Sequence, residues 1–181
     1  MSAVQPDVDA VIVGAGFTGL YTLYRLRQGG FNTRCFDAAG GVGGTWYWNR
    51  YPGARCDIES MQYSFQFSEE LQQEWRWRER YASQPEILSY IEHVTERFDL
   101  KRHITFETRI EAATFDEDKD LWVIKTNGGE TVRARFFIMS VGCLSAPIRP
   151  TFEGESDFRG RSISPACGQK KRSILRENVS A

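Results

Sequence analysis

Length, composition and charge exclude several classes of protein before any motif is considered. The chain has 181 residues, 41% of them hydrophobic and 26% charged, which are values of an ordinary globular domain. The net charge of −1 gives no reason to expect nucleic acid or an anionic membrane as a partner, and no apolar run is long enough to span a bilayer.

The cysteines and histidines argue against a disulfide framework and against a metal site. The chain has four cysteines, none in a C-x-x-C pair: Cys35, Cys56, Cys143 and Cys167. This scatter favours reduced thiols in a cytoplasmic protein. With only His93 and His103 as imidazoles, neither metal binding nor histidine-based catalysis is expected.

The first predicted elements are a strand, a glycine-rich turn and a helix. Val8 to Val13 predicts a short buried strand, which runs into Gly14-Ala15-Gly16-Phe17-Thr18-Gly19, a G-x-G-x-x-G motif. Leucines at positions 20, 23 and 26 continue as a helix, Gly29-Gly30 ends it, and Thr33 to Asp37 predicts a second strand.

This order of elements is typical of a dinucleotide site. The glycines let the backbone approach a pyrophosphate, and the start of the helix offers unpaired N–H groups to it. Asp37 lies 37 − 19 = 18 residues beyond the last glycine, near the spacing expected for an acid that binds the ribose diol. Because a carboxylate repels the 2′-phosphate of NADP, the site favours FAD or NAD.

An aromatic stretch follows, from Gly43 to Asp57, reading G-G-T-W-Y-W-N-R-Y-P-G-A-R-C-D. Its tryptophans need a surface to cover, its first glycines allow a close backbone approach, and Pro52-Gly53 predicts a turn that delivers Arg55 and Asp57. Two interpretations stay open: an ordinary aromatic core loop, or a wall against a large planar ligand with a charge pair at its end.

The middle of the chain predicts structure rather than a site. Aromatics alternate at 63, 65 and 67, and the Trp-rich segment from Ser68 to Arg80 suits an amphipathic helix or a covering loop. Ser83-Gln84-Pro85-Glu86 predicts a helix start with a capping box, followed by a buried stripe as far as Phe98. Period-two patterns then predict a β-meander from three strands: Ile104 to Ile110, Leu121 to Lys125, and Thr131 to Ser140.

The stretch from Gly43 to Asp57 resembles a signature of the flavin-dependent Baeyer–Villiger monooxygenases, [A/G]-G-x-W-x-x-x-x-[F/Y]-P-[G/M]-x-x-x-D. Every fixed position is met: Gly43, Gly44, Trp46, Tyr51, Pro52, Gly53 and Asp57. From about Val11 to about Gly160 the chain resembles the first part of a phenylacetone, cyclohexanone or steroid monooxygenase. The implied fold is α/β, a Rossmann-like, glutathione-reductase-type FAD-binding domain with a β-meander, incomplete.

The resemblance also implies a reaction and a set of site residues. A complete enzyme of this family uses NADPH, FAD and O₂ to insert oxygen into a ketone, giving an ester or lactone. The implied FAD residues are Gly14, Gly16, Phe17, Thr18, Gly19, Asp37, Gly44, Thr45, Trp46, Tyr47, Trp48, Asp57, Tyr63 and Ile110, the last through its backbone. Arg55, Cys56 and Asp57 would lie near NADP. Asp57 would support an arginine that this chain lacks, or, alternatively, pair with Arg55 across the turn.

The end of the sequence departs from the family. In the second family signature, F-x-G-x-x-x-H-T-x-x-W-P, Phe158 and Gly160 fit, but Ser164, Pro165, Gly168 and Gln169 replace the later fixed residues. We therefore expect residues 1–162 to be the first part of an FAD-binding domain, and residues 163–181 to be a basic, disordered tail on a truncated enzyme. Since a second G-x-G-x-x-G motif for NADPH is missing, this chain alone is expected not to oxygenate ketones. The alternatives are a catalytically inactive FAD-binding fragment and an N-hydroxylating or dimethylaniline-type flavin monooxygenase.

Overall fold

A mixed sheet and the helices beside it organise the chain. The computed structural model describes residues 5–146, 148 and 150–160, and within them the chain forms six strands and four α-helices. In chain order these are β1 (Val8–Val13), α1 (Phe17–Gln28), β2 (Thr33–Phe36), α2 (Thr45–Trp48), α3 (Glu69–Glu74), α4 (Gln84–Arg97), β3 (Ile104–Thr105), β4 (Ile110–Asp116), β5 (Leu121–Thr126) and β6 (Thr131–Met139).

The strand order in the sheet is β3-β2-β1-β6-β5-β4. The strands β3, β2, β1 and β6 run parallel, with Val13 aligned to Phe36 on one side and to Met139 on the other. The strands β4, β5 and β6 are joined antiparallel as a meander. This is the predicted α/β, Rossmann-like fold with a β-meander.

Strand β1 and helix α1 form where the sequence predicts them. Ala10, Val11 and Ile12 are fully buried in β1, and α1 turns Leu20 and Leu23 toward the core. The helix ends at Gly29 and Gly30, whose N–H groups donate to the carbonyls of Arg25 and Arg27. Gly30 has φ +82°, a conformation that favours glycine and turns the chain into β2.

The sheet is covered on both faces by apolar side chains. On one face, α1 and α4 pack with the aromatic segment around a cluster that includes Leu23, Ile87 and Tyr90. On the other face, the meander packs Ile124 and Val132 against Phe36 and the residues of β1. Burying one large aliphatic or aromatic side chain stabilises the fold by about 1.5–3 kcal/mol, so these clusters hold the layers together.

The aromatic residues of the middle segment belong to the core, as the sequence predicts. Phe65 and Phe67 contact each other at 5.3 Å between ring centroids, and Phe67 lies 4.3 Å from Tyr24 of α1. Trp75 and Trp77 both contact Tyr90 of α4, at 5.3 Å and 5.0 Å. The Trp-rich segment combines both predicted forms, because the short helix α3 is followed by a covering loop.

The predicted capping box at the start of α4 is wrong. Ser83 is the N-cap and Pro85 lies in the first turn, but the Ser83 side chain makes no capping hydrogen bond. The carboxylate of Glu86 instead accepts a hydrogen bond from the backbone N–H of Arg78, at 2.8 Å. The carboxylate that a capping box would use therefore accepts a hydrogen bond from the loop after α3 instead.

The predicted strand from Ile104 to Ile110 is also wrong. Ile104 and Thr105 pair with β2 at one edge of the sheet, whereas Ile110 begins β4, at the other end of the strand order. Between them Glu107 has φ +54°, a left-handed conformation that no strand residue adopts. Hydrogen bonds from the backbone N–H groups of Glu107 and Thr108 to the carbonyls of Ala39 and Asp37 hold this bend.

The proposed boundary at residue 162 and the tail at 163–181 lie outside the described residues. Among the helices of the described part, none is long and apolar enough to cross a membrane.

Candidate functional site

The glycine turn after β1 admits no side chain at its first and last positions. A Cβ atom on Gly14, which has φ +102°, would lie 2.5 Å from the carbonyl oxygen of Ser140. A Cβ atom on Gly19 would lie 1.8 Å from the carbonyl oxygen of Gly14. Glycine is therefore required here for the close packing of β1, β6 and the start of α1.

The glycine turn and the aromatic stretch meet through their backbones. Gly44 has φ +53°, and a Cβ atom on it would lie 3.0 Å from Cα of Gly16. The N–H of Gly43 donates to the carbonyl of Ala15, at 3.0 Å. Gly16 is also the N-cap of α1 and has no side-chain cap. The two motifs thus form one cradle without side chains, at the positive end of the α1 dipole, where an anion is stabilised.

Asp37 lies beneath this cradle, directly after β2. One carboxylate oxygen accepts a 2.5 Å hydrogen bond from the N–H of Ala15, and the other accepts a 2.7 Å bond from the N–H of Ala39. The residue is 7% exposed. Asp37 therefore fixes the glycine turn, and its predicted contact with a ribose would use the lone pairs that these N–H groups leave.

The two interpretations of the aromatic stretch apply to different residues. Trp46 is buried, and its indole N–H donates to the hydroxyl of Tyr63 at 3.0 Å, while its carbonyl accepts from the amide of Gln84 at 2.5 Å. Burial raises the pKa of the Tyr63 hydroxyl. Trp48, by contrast, is 50% exposed. Trp46 thus suits the core-loop interpretation, and Trp48 has a free surface that a planar ligand could cover.

The other residues of α1 and α2 that the resemblance assigns to FAD surround the cradle. Phe17 packs its ring 4.9 Å from the ring of Tyr63, which links the glycine turn to the aromatic stretch. Thr18 is in the first turn of α1, and Thr45 begins α2 next to Gly44. Tyr47 lies over Gly41 on one side of the stretch, with the Arg50 guanidinium 4.5 Å from its ring centroid.

The predicted alternative in which Asp57 pairs with Arg55 is wrong. Arg55 forms an ion pair with Glu79 and donates to the carbonyl of Tyr81. The reason is a backbone bridge between Arg55 and Ser83, which carries the Arg55 side chain toward the loop after α3. Asp57 is exposed and has no hydrogen-bond or ion-pair partner among residues 5–146, 148 and 150–160.

The remaining assigned residues lie in different environments. Cys56 is buried, and its sulfur accepts from the N–H of Ile58 at 3.4 Å. Ile110 begins β4, two residues after Thr108, whose N–H donates to the carbonyl of Asp37. The backbone before Ile110 is therefore tied to the acid beneath the cradle, while the Ile110 side chain packs under the meander.

Two serines outside the predicted set of site residues lie at the site. The hydroxyl of Ser60 accepts from the N–H of Ala82 at 3.0 Å and lies 2.8 Å from the carbonyl of Glu79, which fixes the segment that holds Arg55. Ser140 follows β6 directly beneath Gly14, and its buried hydroxyl has no hydrogen-bond partner among the described residues. No local pattern identifies either residue, because the surroundings of both side chains are set by the fold.

Two surface hollows lie away from the cradle. One, of about 580 Å³, is lined by residues between Glu59 and Arg80. The other, of about 340 Å³, is lined by apolar residues of α1, β5 and β6 and by Phe31. Neither hollow includes a residue of the glycine turn, so the dinucleotide assignment rests on the backbone cradle and not on a cavity.

Comparison with known proteins supports the class of protein that this geometry indicates, a dinucleotide-binding protein with a Rossmann-like fold. Residues 12–76 match the family described as NAD(P)-binding Rossmann-like domain. The match spans the glycine turn, Asp37 and the aromatic stretch, so the chain contains a Rossmann-like dinucleotide-binding fold.

The similar proteins include a Baeyer–Villiger monooxygenase and other monooxygenases. A Baeyer–Villiger monooxygenase of Pseudooceanicola batsensis is 47% identical over 161 residues, which are 88% of this chain and 30% of that protein. A solved structure, oxidized steroid monooxygenase bound to NADP, is 53% identical with a TM-score of 0.80, over 88% of this chain and 30% of that chain. A phenazine N-monooxygenase of Lysobacter antibioticus is 44% identical over 86% of this chain and 29% of its own length.

The predicted resemblance to the flavin-dependent Baeyer–Villiger monooxygenases is thereby confirmed, and the chain is a homologue of these enzymes. It spans about 30% of the length of the relatives that it matches.

Proposed function

We propose that this chain is the FAD-binding part of an NADPH- and O₂-dependent monooxygenase that inserts oxygen into ketones to give esters or lactones. The observation that carries the proposal is the backbone contact between Gly16 and Gly44. This contact joins a dinucleotide-binding turn to the signature that the chain shares with Baeyer–Villiger monooxygenases. A site that binds only a dinucleotide would need the first motif but not the second.

The residues present fit the phosphate-bearing half of FAD. Gly16 and Gly44 present no side chain at the start of α1, where the backbone N–H groups and the helix dipole favour an anion. Asp37 is positioned next to this turn for the ribose, and the backbone before Ile110 is tied to Asp37 on the adenine side. The backbone N–H groups of Phe17 and Thr18, in the first turn of α1, would bind the pyrophosphate.

The aromatic stretch would lie beside the flavin ring. FAD, when bound, supplies the redox and oxygen chemistry; the protein binds it, orients it and excludes water. In this assignment Thr45, Tyr47 and Trp48 line the flavin, while the buried Trp46 and its partner Tyr63 hold the stretch in place behind them. The exposed carboxylate of Asp57 would face the flavin side of the site, and Arg55 and Cys56 with Asp57 would face NADP.

The wider parts of the proposal rest on the cysteine pattern and family signatures of the sequence and on the names of the relatives, which include acetone and cyclohexanone monooxygenases. We place the activity in the cytoplasm, with O₂ and a small ketone as substrates, and assign residues 1–162 to the FAD-binding domain. The carbonyl of a ketone is the electrophile in this reaction, so the panel of test substrates starts with ketones.

The experiment uses the full 181-residue chain. Purified protein is titrated with FAD by flavin fluorescence and melting temperature, and then incubated with NADPH, O₂ and cyclic, aryl and acyclic ketones. The proposal expects saturable FAD binding and ester or lactone above the level of a Gly16→Val control. In that control a β-branched side chain fills the cradle, since even its Cβ atom would lie 3.5 Å from Gly44. A purified protein that is colourless and whose melting temperature does not change when FAD is added contradicts the proposal.

A second candidate function is FAD binding without ketone oxygenation by this chain alone. Two observations favour it: the 181 residues contain one G-x-G-x-x-G motif, so they offer one dinucleotide turn for two dinucleotides, and the chain spans about 30% of its relatives. In the same assay this candidate expects FAD binding equal to that of the first candidate, with no ester or lactone formed. Including phenazine in the panel tests N-oxygenation, the activity in the printed name of one relative.

A further inference from the structure

Ser140 has a buried hydroxyl that the fold leaves without a hydrogen bond. Its backbone N–H is satisfied, because it donates to the carbonyl of Val13 at 2.8 Å and so continues the pairing of β6 with β1. Its side-chain oxygen has no partner among the described residues and almost no exposure. A buried hydroxyl without a partner lowers stability, so such a group is rarely kept unless something else binds it.

The surroundings of Ser140 belong to the glycine turn. The carbonyl oxygen of Ser140 limits the space at Gly14, and its Cβ atom lies 3.5 Å from where a Cβ atom on Gly19 would be. Ser140 therefore lies between the first and last glycines of the motif, at the carboxyl end of the parallel strands. Ligands of open α/β sheets bind at this end.

Asp37, the acid beneath the turn, makes no hydrogen bond with the Ser140 hydroxyl. Both oxygens of Asp37 already accept hydrogen bonds from backbone N–H groups of Ala15 and Ala39. The acceptors that a dinucleotide brings to the start of α1 are its pyrophosphate oxygens, which are anionic and bind hydroxyl donors strongly.

We propose that Ser140 is a further dinucleotide-binding residue, whose hydroxyl gains a hydrogen bond to the pyrophosphate, directly or through one water, when the dinucleotide binds. This inference rests on the proposed FAD-binding function and adds a side chain to a turn otherwise described through its backbone. The competing explanation is that the hydroxyl only fills space beneath the turn.

The test compares Ser140→Ala with Ser145→Ala, an exposed serine five residues later. For each protein the melting temperature without ligand and the dissociation constant for FAD are measured. Ser140→Ala is expected to melt at or above the wild-type temperature without ligand, because it removes an unsatisfied group, and to bind FAD about tenfold more weakly. Ser145→Ala is expected to match the wild type in both measurements.

Two results overturn the inference. One is a wild-type affinity for FAD in Ser140→Ala. The other is a melting temperature of Ser140→Ala that lies below that of the wild type by the same amount with and without FAD. That result would assign the hydroxyl to the fold alone.

A wild-type chain that binds no FAD contradicts the proposed function instead. The same two proteins are then titrated with ADP, whose diphosphate presents the same acceptors to the turn. Weaker ADP binding by Ser140→Ala supports the role of Ser140 at a site for another dinucleotide; equal binding, or none by the wild type, overturns it.

Discussion

The carboxylate of Asp37 accepts a 2.5 Å hydrogen bond from the backbone N–H of Ala15, which lies inside the glycine turn 22 residues earlier. The second carboxylate oxygen accepts from Ala39, the residue two positions later. One buried acid thus joins the end of β2 to the turn after β1. The residue that the sequence assigns to a ribose also holds the shape of the turn that would bind the pyrophosphate.

Replacing Asp37 with alanine should therefore reduce both stability and FAD affinity. Two buried N–H groups lose a charged acceptor, for which we expect a loss of about 3 kcal/mol in the free energy of unfolding. FAD affinity should fall at least tenfold, because the turn loses its support along with the ribose acceptor. Urea unfolding and FAD titration measure the two effects separately.

Asp118→Ala is the control, since Asp118 is exposed in the turn between β4 and β5. Asp37→Asn should fall between the wild type and Asp37→Ala, because an amide keeps one acceptor oxygen and loses the other. Unchanged stability in Asp37→Ala would remove the acid from the support of the turn.

Gly19→Ala should destabilise the protein more than any other single alanine placed in the turn. The added methyl group would lie 1.8 Å from the carbonyl oxygen of Gly14, so β1 and α1 must separate for it to fit. We expect a loss of roughly 3–5 kcal/mol, which is large for a change of one methyl group. Gly128→Ala is the matched control, because its nearest neighbour is Thr126, 3.8 Å away, and it should stay within about 0.5 kcal/mol of the wild type. Similar melting temperatures for the two variants would contradict the close packing at Gly19.

The elements that the sequence placed well are those defined by local signals. Strand β1 was predicted with its observed bounds and β2 within one residue, because apolar runs and flanking glycines mark their ends. The assignment of Asp37, the acid after β2, followed from its spacing from the glycine turn. The contact between Gly16 and Gly44 was not predictable, since each motif shows only that its own backbone approaches something closely.

What the sequence missed depends on partners distant in the chain. Ile104 to Ile110 has the alternation of one strand, but backbone hydrogen bonds to residues 37 and 39 bend it at Glu107. Arg55 and Asp57 are two residues apart in sequence, but the partner of Arg55 is 24 residues away, in a loop that the backbone bridge at Ser83 brings close. Ser140 gave no signal, because an unsatisfied hydroxyl is visible only when the surrounding fold is known.

The ion pair between Arg55 and Glu79 should contribute little to stability. Their side chains are 43% and 52% exposed, and exposed pairs contribute about 0.2–1 kcal/mol. A double-mutant cycle with Arg55→Ala and Glu79→Ala should give a coupling energy in this range by urea unfolding. The same cycle with Arg55→Ala and Asp57→Ala should give none, because no contact joins these residues. A coupling energy between Arg55 and Asp57 as large as that between Arg55 and Glu79 would contradict the observed geometry and support an ion pair between Arg55 and Asp57.

The thiols should differ sharply in reactivity. Burial, with a smaller effect of the Asp37 charge, raises the pKa of the Cys35 thiol to about 12, so at pH 8 it is almost entirely protonated and inaccessible. Cys143 is exposed. In a Cys167→Ser background, iodoacetamide at pH 8 should modify Cys143 within minutes and leave Cys35 unmodified until the protein unfolds. Mass spectrometry of tryptic peptides locates the modification, and early labelling of Cys35 would contradict its burial.

Tyr90 should make the folded state sensitive to alkaline pH. Its ring is 1% exposed, its hydroxyl accepts a 2.8 Å hydrogen bond from the backbone N–H of Phe65, and burial raises its pKa to about 12. In the unfolded chain a tyrosine has a pKa of about 10. Above pH 10 the unfolded state therefore releases this proton first, so the stability contributed by the neutral hydroxyl is complete below pH 10 and is lost between about pH 10 and 12. The free energy of unfolding should fall by up to about 1.4 kcal/mol for each pH unit in this window from Tyr90 alone.

Tyr90→Phe should be less stable at pH 8 by about 1–3 kcal/mol, because the N–H of Phe65 loses its acceptor, but its stability should fall less steeply above pH 10. Tyr51→Phe, at an exposed position, is the matched control, and the falls due to Cys35 and Tyr63 are common to all three proteins. Urea unfolding at intervals from pH 8 to 11.5 measures the slopes, and equal slopes for Tyr90→Phe and the wild type would show that the Tyr90 hydroxyl ionises in the folded protein as readily as in the unfolded chain.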